Sequence, residues 1–137
     1  MSSNTSSLLR LEVKYIRDGV KSNYPNKVAC RICGVTEELE NHHYHTMTLM
    51  GNKFKKENKI VIKDPEHIME VRKDFYEQYW DKLVSDQELV CLCKAHHLKL
   101  HSIYGKDPSL ATVEKQKRWV NIQRGKNGLE SESNTGT

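Results

Sequence analysis

A small α+β domain held together by bound metal is what this sequence predicts, and three observations carry the prediction. The chain has 137 residues, the size of one domain on a prior of roughly 100–200 residues per domain. Only 36% of them are hydrophobic, against a usual ~45–50% apolar with glycine counted. Core burial alone therefore leaves stability thin, and an added staple is expected. Short stretches of strand character alternate with helical periods, and the four cysteines and six of the seven histidines fall in tight groups along them.

The N-terminal arm, residues 1–28, begins with seven small polar residues expected to be disordered. Leu8, Leu9, Val13, Ile16 and Val20 then follow a helical spacing that ends at Gly19 or at the turn Asn23-Tyr24-Pro25-Asn26. The central unit, residues 29–105, opens with a short cysteine-bearing segment from Lys27 to Gly34. Glu38 to Thr48 reads as an extended segment presenting histidines, Gly51-Asn52 as a turn, and Lys59 to Lys63 as a short strand. Asp64-Pro65 starts an amphipathic helix over about 64–83, with Ile68, Val71 or Met69, Phe75, Tyr76, Tyr79 and Leu83 in period. Leu89 to Leu92 is a compact apolar strand, and Cys93 to Tyr104 a helix closed by Gly105. Residues 106–137 hold a basic helix from Pro108-Ser109 to about Arg124, which Trp119 packs onto the core, and then a tail expected to be disordered.

No apolar run approaches the ~18 residues of a membrane span, and the start lacks the basic and apolar blocks of a signal peptide. A cytoplasmic protein without a membrane partner is expected. In that reducing compartment, clustered Cys and His are metal ligands before they are disulfides. Net charge is +4, but residues 64–88 carry −5 and leave the rest at +9. That asymmetry favours a polyanionic partner over a small neutral substrate.

Two ligand groups follow from spacing. Cys30-x-x-Cys33 aims two thiols at one cation, and Cys93-x-x-His96 completes a tetrahedron at Zn²⁺ distances of about 2.0–2.3 Å. Binding of that zinc becomes folding free energy. Cys91 is left as a buried strand thiol. His97 and His101, four apart on a helix, share a face and can grip a second ion. His42 and His43, if extended, point to opposite sides, so that one can be a ligand while the other faces a substrate. His67, alone on a charged helix, reads as surface.

The order Cys-x-x-Cys, His-His, then Leu-Cys-x-x-His-His-x-x-x-His, spanning Cys30 to Tyr104, resembles the HNH endonuclease family. The resemblance implies a ββα-metal, treble-clef-like core stapled by structural Zn²⁺, with the 64–83 helix inserted and helices flanking it on both sides. It assigns His42, His97 and His101 to a catalytic divalent metal and His43 to the general base. His45, on the same side of a strand as His43, is the rival base. Three departures stand out. Glu88 replaces the family's Asn, whose task is to orient the base; His96 replaces the commoner fourth Cys; and the stretch between His43 and Leu89 is long.

What the resemblance further implies is metal-dependent hydrolysis of DNA phosphodiester bonds, the DNA double-stranded, with one catalytic ion per chain. Three imidazoles suit Mn²⁺, Ni²⁺, Co²⁺ or Zn²⁺ better than Mg²⁺. Lys94, Lys99, Lys115, Lys117, Arg118 and Arg124 would hold phosphates without reading bases. The acidic 64–88 segment would face away from DNA, towards a protein partner or a second copy, since one site per chain cuts one strand. By analogy the chain looks like a phage or mobile-element enzyme, working in a bacterial or phage-infected cell. The competing reading is a non-catalytic zinc module that binds nucleic acid; it accounts for Cys30, Cys33, Cys93 and His96 but leaves His42, His43, His97 and His101 without a task.

Overall fold

The computed structural model describes residues 2–129, with side chains from Leu8 onward. Along the chain it forms α1 (Ser2–Val20), β1 (Leu39–His43), α2 (Met47–Glu57), α3 (Pro65–Val84), β2 (Leu89–Cys93), α4 (Lys94–Tyr104) and α5 (Val113–Lys126). The α+β class holds, with one antiparallel two-stranded sheet among the described residues. Its register pairs Leu39 with Cys93, His42 with Val90 and His43 with Leu89. No helix of the described residues is long and apolar enough to cross a membrane.

Two apolar clusters divide the packing. One gathers Ile32, Tyr44, Val90, Leu92, Leu100, Val113 and Val120, where the sheet meets α4, α5 and the cysteine turn, with Trp119 against it as expected. The other gathers Ile16, Met47, Met50, Phe54, Phe75, Tyr79 and Leu83, where α1, α2 and α3 pack together. Between α1 and α2, Lys55 Nζ donates to Glu12 Oε2 at 2.8 Å in a largely buried ion pair.

Local chemistry explains most ends. Asp64 accepts the His67 backbone N–H at 2.8 Å and Pro65 fills the first helical position, so α3 starts where its caps dictate. His67 lies at that exposed end, its Nδ1 accepting from Lys63 N. Gly105, at φ 91°, closes α4, a left-handed conformation that suits glycine. Ser109 accepts the Ala111 N–H and starts the 3₁₀ turn that leads into α5.

Five expectations need correction. The polar start is helical from Ser2, because a helix anchored by packing extends at one hydrogen bond per residue once nucleated. The expected disorder of Met1 and of residues 130–137 lies outside the described residues. The extended segment ends at His43, and Met47 begins a helix. Gly51, read as a turn, is buried inside α2, where an added Cβ would stand 3.6 Å from Glu12 Oε1. Residues 59–63 form no strand: β1 pairs only with β2, and Ile60 instead joins the helical cluster while Val61 stays exposed. Cys91 is half-buried and lines a cleft of about 1050 Å³ between β2, α5 and residues 25–31.

Gly19 does not end α1; it admits α3. Tyr76 Oη donates to the Ile16 carbonyl at 2.6 Å and Arg72 Nη1 to the Tyr15 carbonyl at 2.7 Å, and a Cβ on Gly19 would collide with both groups. An exposed helical Gly→Ala change ordinarily stabilises by up to ~1 kcal/mol. Here Gly19→Ala should destabilise by about 1–2 kcal/mol through overpacking. Thermal melts of Gly19→Ala, alone and with Tyr76→Phe, check this; the second change should recover part of the loss.

Candidate metal centres and active site

The cysteine turn is built before any ion is considered. Gly34 N donates to the Cys30 carbonyl and Cys30 N to the Val35 carbonyl, both at 2.8 Å, while Arg31 N pairs with Cys91 O and ties the turn to β2. These bonds set Cys30 and Cys33 against Cys93, at the end of β2, and His96, on the first turn of α4. Cys33 Sγ lies 3.9 Å from Cys93 Sγ, and His96 Nδ1 lies 3.3 Å from Cys93 Sγ and 3.8 Å from Cys30 Sγ. Ligand atoms on a tetrahedral zinc stand about 3.5–3.8 Å apart. Burial pushes the Cys30 thiol up, but the backbone groups of Cys93, Cys33 and Ile32 together outweigh it and hold the thiol below its ordinary range. A ring of N–H donors around sulfur favours the thiolate that a cation needs.

The second group lies between β1 and α4. His42 Nδ1 is 3.1 Å from His97 Nε2, which is 3.1 Å from His101 Nε2. Each ring has its other nitrogen tied to an acceptor. His42 Nε2 faces Gln116 Oε1 at 2.7 Å, His97 Nδ1 faces Glu40 Oε1 at 2.8 Å, and His101 Nδ1 faces the Gly105 carbonyl at 2.8 Å. Gln116 is oriented by donating its own Nε2 to Tyr44 O and Thr112 Oγ1. With the N–H of each ring on its outer nitrogen, as these acceptors favour, the three inner nitrogens converge as lone pairs. Carboxylates and carbonyls behind ligating imidazoles are the usual second layer of a metal site. Burial pushes His42 down to about 3, so it stays neutral and able to ligate. Both residue sets, Cys30-Cys33-Cys93-His96 and His42-His97-His101, fit a single ion each, with all ligand atoms of a set within 4.8 Å of one another.

His43 lies on the other side of β1. The Leu83 carbonyl hydrogen-bonds its ring, burial lowers it to about 4, and its Nε2 is buried with no partner. The ring N–H therefore belongs on Nδ1, and Nε2 carries a lone pair. Glu88 does not touch this ring; its Oε2 binds His45 Nε2 at 2.7 Å and Lys117 Nζ at 3.0 Å. The side chains of Lys94, Lys99, Lys115 and Arg118 are exposed, whereas Arg124 Nη1 donates to the Arg31 carbonyl and braces the cysteine turn.

Glu40, Gln116, Tyr24 and the Leu83 carbonyl touch the histidines of these groups and carry no motif of their own. Period-two alternation places Glu40 beside His42 and was available in the sequence. Nothing marks Gln116 within a charged helix.

A family profile described as phage T5 nicking endonuclease matches residues 1–134. The chain belongs to the nicking endonuclease family. No solved structure matches it. Family membership makes the chain a DNA endonuclease, and this nicking endonuclease carries two Cys/His groups able to hold metal ions.

Two outcomes follow for metal binding. Gln116→Leu removes the acceptor behind His42 and should weaken Mn²⁺ binding about 10–100-fold, read by isothermal titration, with little change in zinc content. Cys93→Ser should lose zinc and cooperative unfolding together. A zinc-free Cys93→Ser protein that melts like the parent contradicts the staple.

Proposed function

We propose that this family member nicks DNA as an HNH-type, metal-dependent phosphodiesterase, with His43 as general base, a divalent ion on His42, His97 and His101, and structural zinc on Cys30, Cys33, Cys93 and His96. The observation that carries the reading is geometric: three imidazoles converge with each outer nitrogen against an acceptor, and the adjacent His43 has a buried Nε2 without a partner. Adjacent strand positions set the proposed ligand His42 and the proposed base His43 on opposite sides of β1.

Within this mechanism His43 Nε2 takes a proton from the attacking water, and its charged form is held by the Leu83 carbonyl. Glu40, Gln116 and the Gly105 carbonyl keep the three ligand rings in register. A divalent cation held by His42, His97 and His101 would supply Lewis-acid chemistry at the phosphate. Glu88 Oε2 meets His45 Nε2 at 2.7 Å and leaves His43 without the orienting partner the resemblance expects, so His45 is the second reading for the base. One base and one ligand triad per chain suit the cutting of one strand per encounter. Lys94, Lys99, Lys115 and Arg118 would meet phosphates directly. Lys117 first has to leave Glu88. The exposed acids of α3, among them Glu70, Asp74 and Glu77, are proposed to face away from DNA towards a protein or a second copy.

On supercoiled plasmid at saturating Mn²⁺, His43→Ala should lower nicking by at least ~10²-fold, the usual span of general-base catalysis, while leaving Mn²⁺ affinity near the parent's. His97→Ala should instead raise the Mn²⁺ concentration needed for activity. Loss of Mn²⁺ affinity in His43→Ala would sink the assignment.

The pH profile gives a separate check. A base acts when neutral, and burial lowers His43 from 6.5 to about 4. Consequently kcat/KM, which reports the free enzyme, should stay level from neutral pH downward and fall only as pH approaches about 4. A rise centred near 6.5 would mean a solvated imidazole.

A further inference from the structure

The base nitrogen of His43 is out of reach. Its Nε2 is buried and has no hydrogen-bond partner, and so is the hydroxyl of Tyr24. The Tyr24 ring meets the His43 ring edge to face, with centroids 5.0 Å apart and planes at 71°. Tyr24 belongs to the first part of the connector between α1 and β1, ahead of the cysteine turn. Tyr24 N donates to Lys21 O at 3.2 Å, and Asn41 Nδ2 reaches the Pro25 carbonyl at 3.2 Å. Two buried polar atoms without partners, one on each of the contacting rings, make the closed arrangement costly, since each has given up water without gaining a hydrogen bond. A general base, however, must come within hydrogen-bond reach of the water it activates.

Resting on the proposal that His43 is the base, we propose that Tyr24 is a positioning residue that covers His43 in the free protein, and that its segment is displaced when duplex DNA engages the neighbouring cations. Those cations are Arg17, Lys21 and Lys27, all exposed on either side of Tyr24. Arg17 is close enough to act electrostatically on both rings, and Lys21 has only a 3.4 Å ion pair with Asp18 to give up. A backbone phosphate drawn to this cluster arrives where the connector must yield. The shielded base is thus uncovered when substrate is at hand. The DNA-free protein is left with an idle base.

Two substitutions should act with opposite sign. Tyr24→Ala removes the cover, and Tyr24→Phe removes the unpartnered hydroxyl and so steadies the closed arrangement. In the metal-loaded full chain, carbethoxylation of His43 by diethyl pyrocarbonate, read by mass spectrometry against His67 in the same sample, should rise about ten-fold in Tyr24→Ala and fall about three-fold in Tyr24→Phe. Plasmid nicking at low DNA concentration should move in the same two directions, because only the open fraction is competent. Unchanged His43 reactivity in Tyr24→Ala overturns the proposal. So does slower nicking in Tyr24→Ala with Tyr24→Phe equal to the parent, the pattern of a ring that merely supports its neighbour. Should Tyr24→Ala fail to fold, the sign of the Tyr24→Phe effect decides alone. The base assignment is tested apart from this, by His43→Ala: if that variant nicks normally, His43 is not the base whatever its reactivity.

Discussion

Three imidazoles converge with each outer nitrogen against an acceptor. The inner nitrogens of His42, His97 and His101 lie 3.1 Å apart in sequence around the group, and with the N–H of each ring on its outer side they meet as lone pairs that cannot satisfy one another. Such an arrangement is favourable only around a cation, or with an extra proton in the cluster. The acceptors that impose it come from four parts of the fold: Glu40 of β1, Gln116 of α5, Gly105 at the end of α4, and behind Gln116 the Tyr44 carbonyl. Much of the architecture therefore serves to aim three nitrogens.

The cysteine group makes that aiming dependable. It fixes the start of α4 through Cys93 and His96, and the direction in which His97 and His101 project follows from the helix geometry. The turn carrying Cys30 and Cys33 is itself paired to β2 through Arg31 and braced by Arg124 from α5. Around this unit the helices α1, α2 and α3 form a separate apolar cluster, which brings the Leu83 carbonyl to one side of His43. Glycine at position 19 lets α1 approach α3 closely enough to be held by two hydrogen bonds to its backbone.

The two Cys/His groups were legible because their spacing is local in sequence: three residues apart on the turn, three or four apart at and within the helix. The α3 start and the α4 stop were legible from Asp64-Pro65 and Gly105, whose backbone roles are intrinsic. The helix α2 was not, because its Gly51 and polar neighbours read as a turn until Glu12 and the apolar cluster supply a reason to bury that face. Residues 59–63 have a strand-like composition, but composition does not provide a partner edge. Gln116 and Tyr24 act through contacts 74 and 19 residues away in the chain, with His42 and His43 respectively, and no short-range pattern announces either.

On the proposed assignment the chain holds two chemically different ions, one on three thiolates and His96 and one on imidazoles alone. Cobalt(II) substitution tests it most directly, because thiolate ligation gives an intense near-ultraviolet charge-transfer band and imidazole ligation does not. Stepwise addition to metal-free protein should yield one equivalent with that band and a second without it, and His97→Ala should lose only the second. A single equivalent in the parent, or a second equivalent that persists in His97→Ala, would contradict the account.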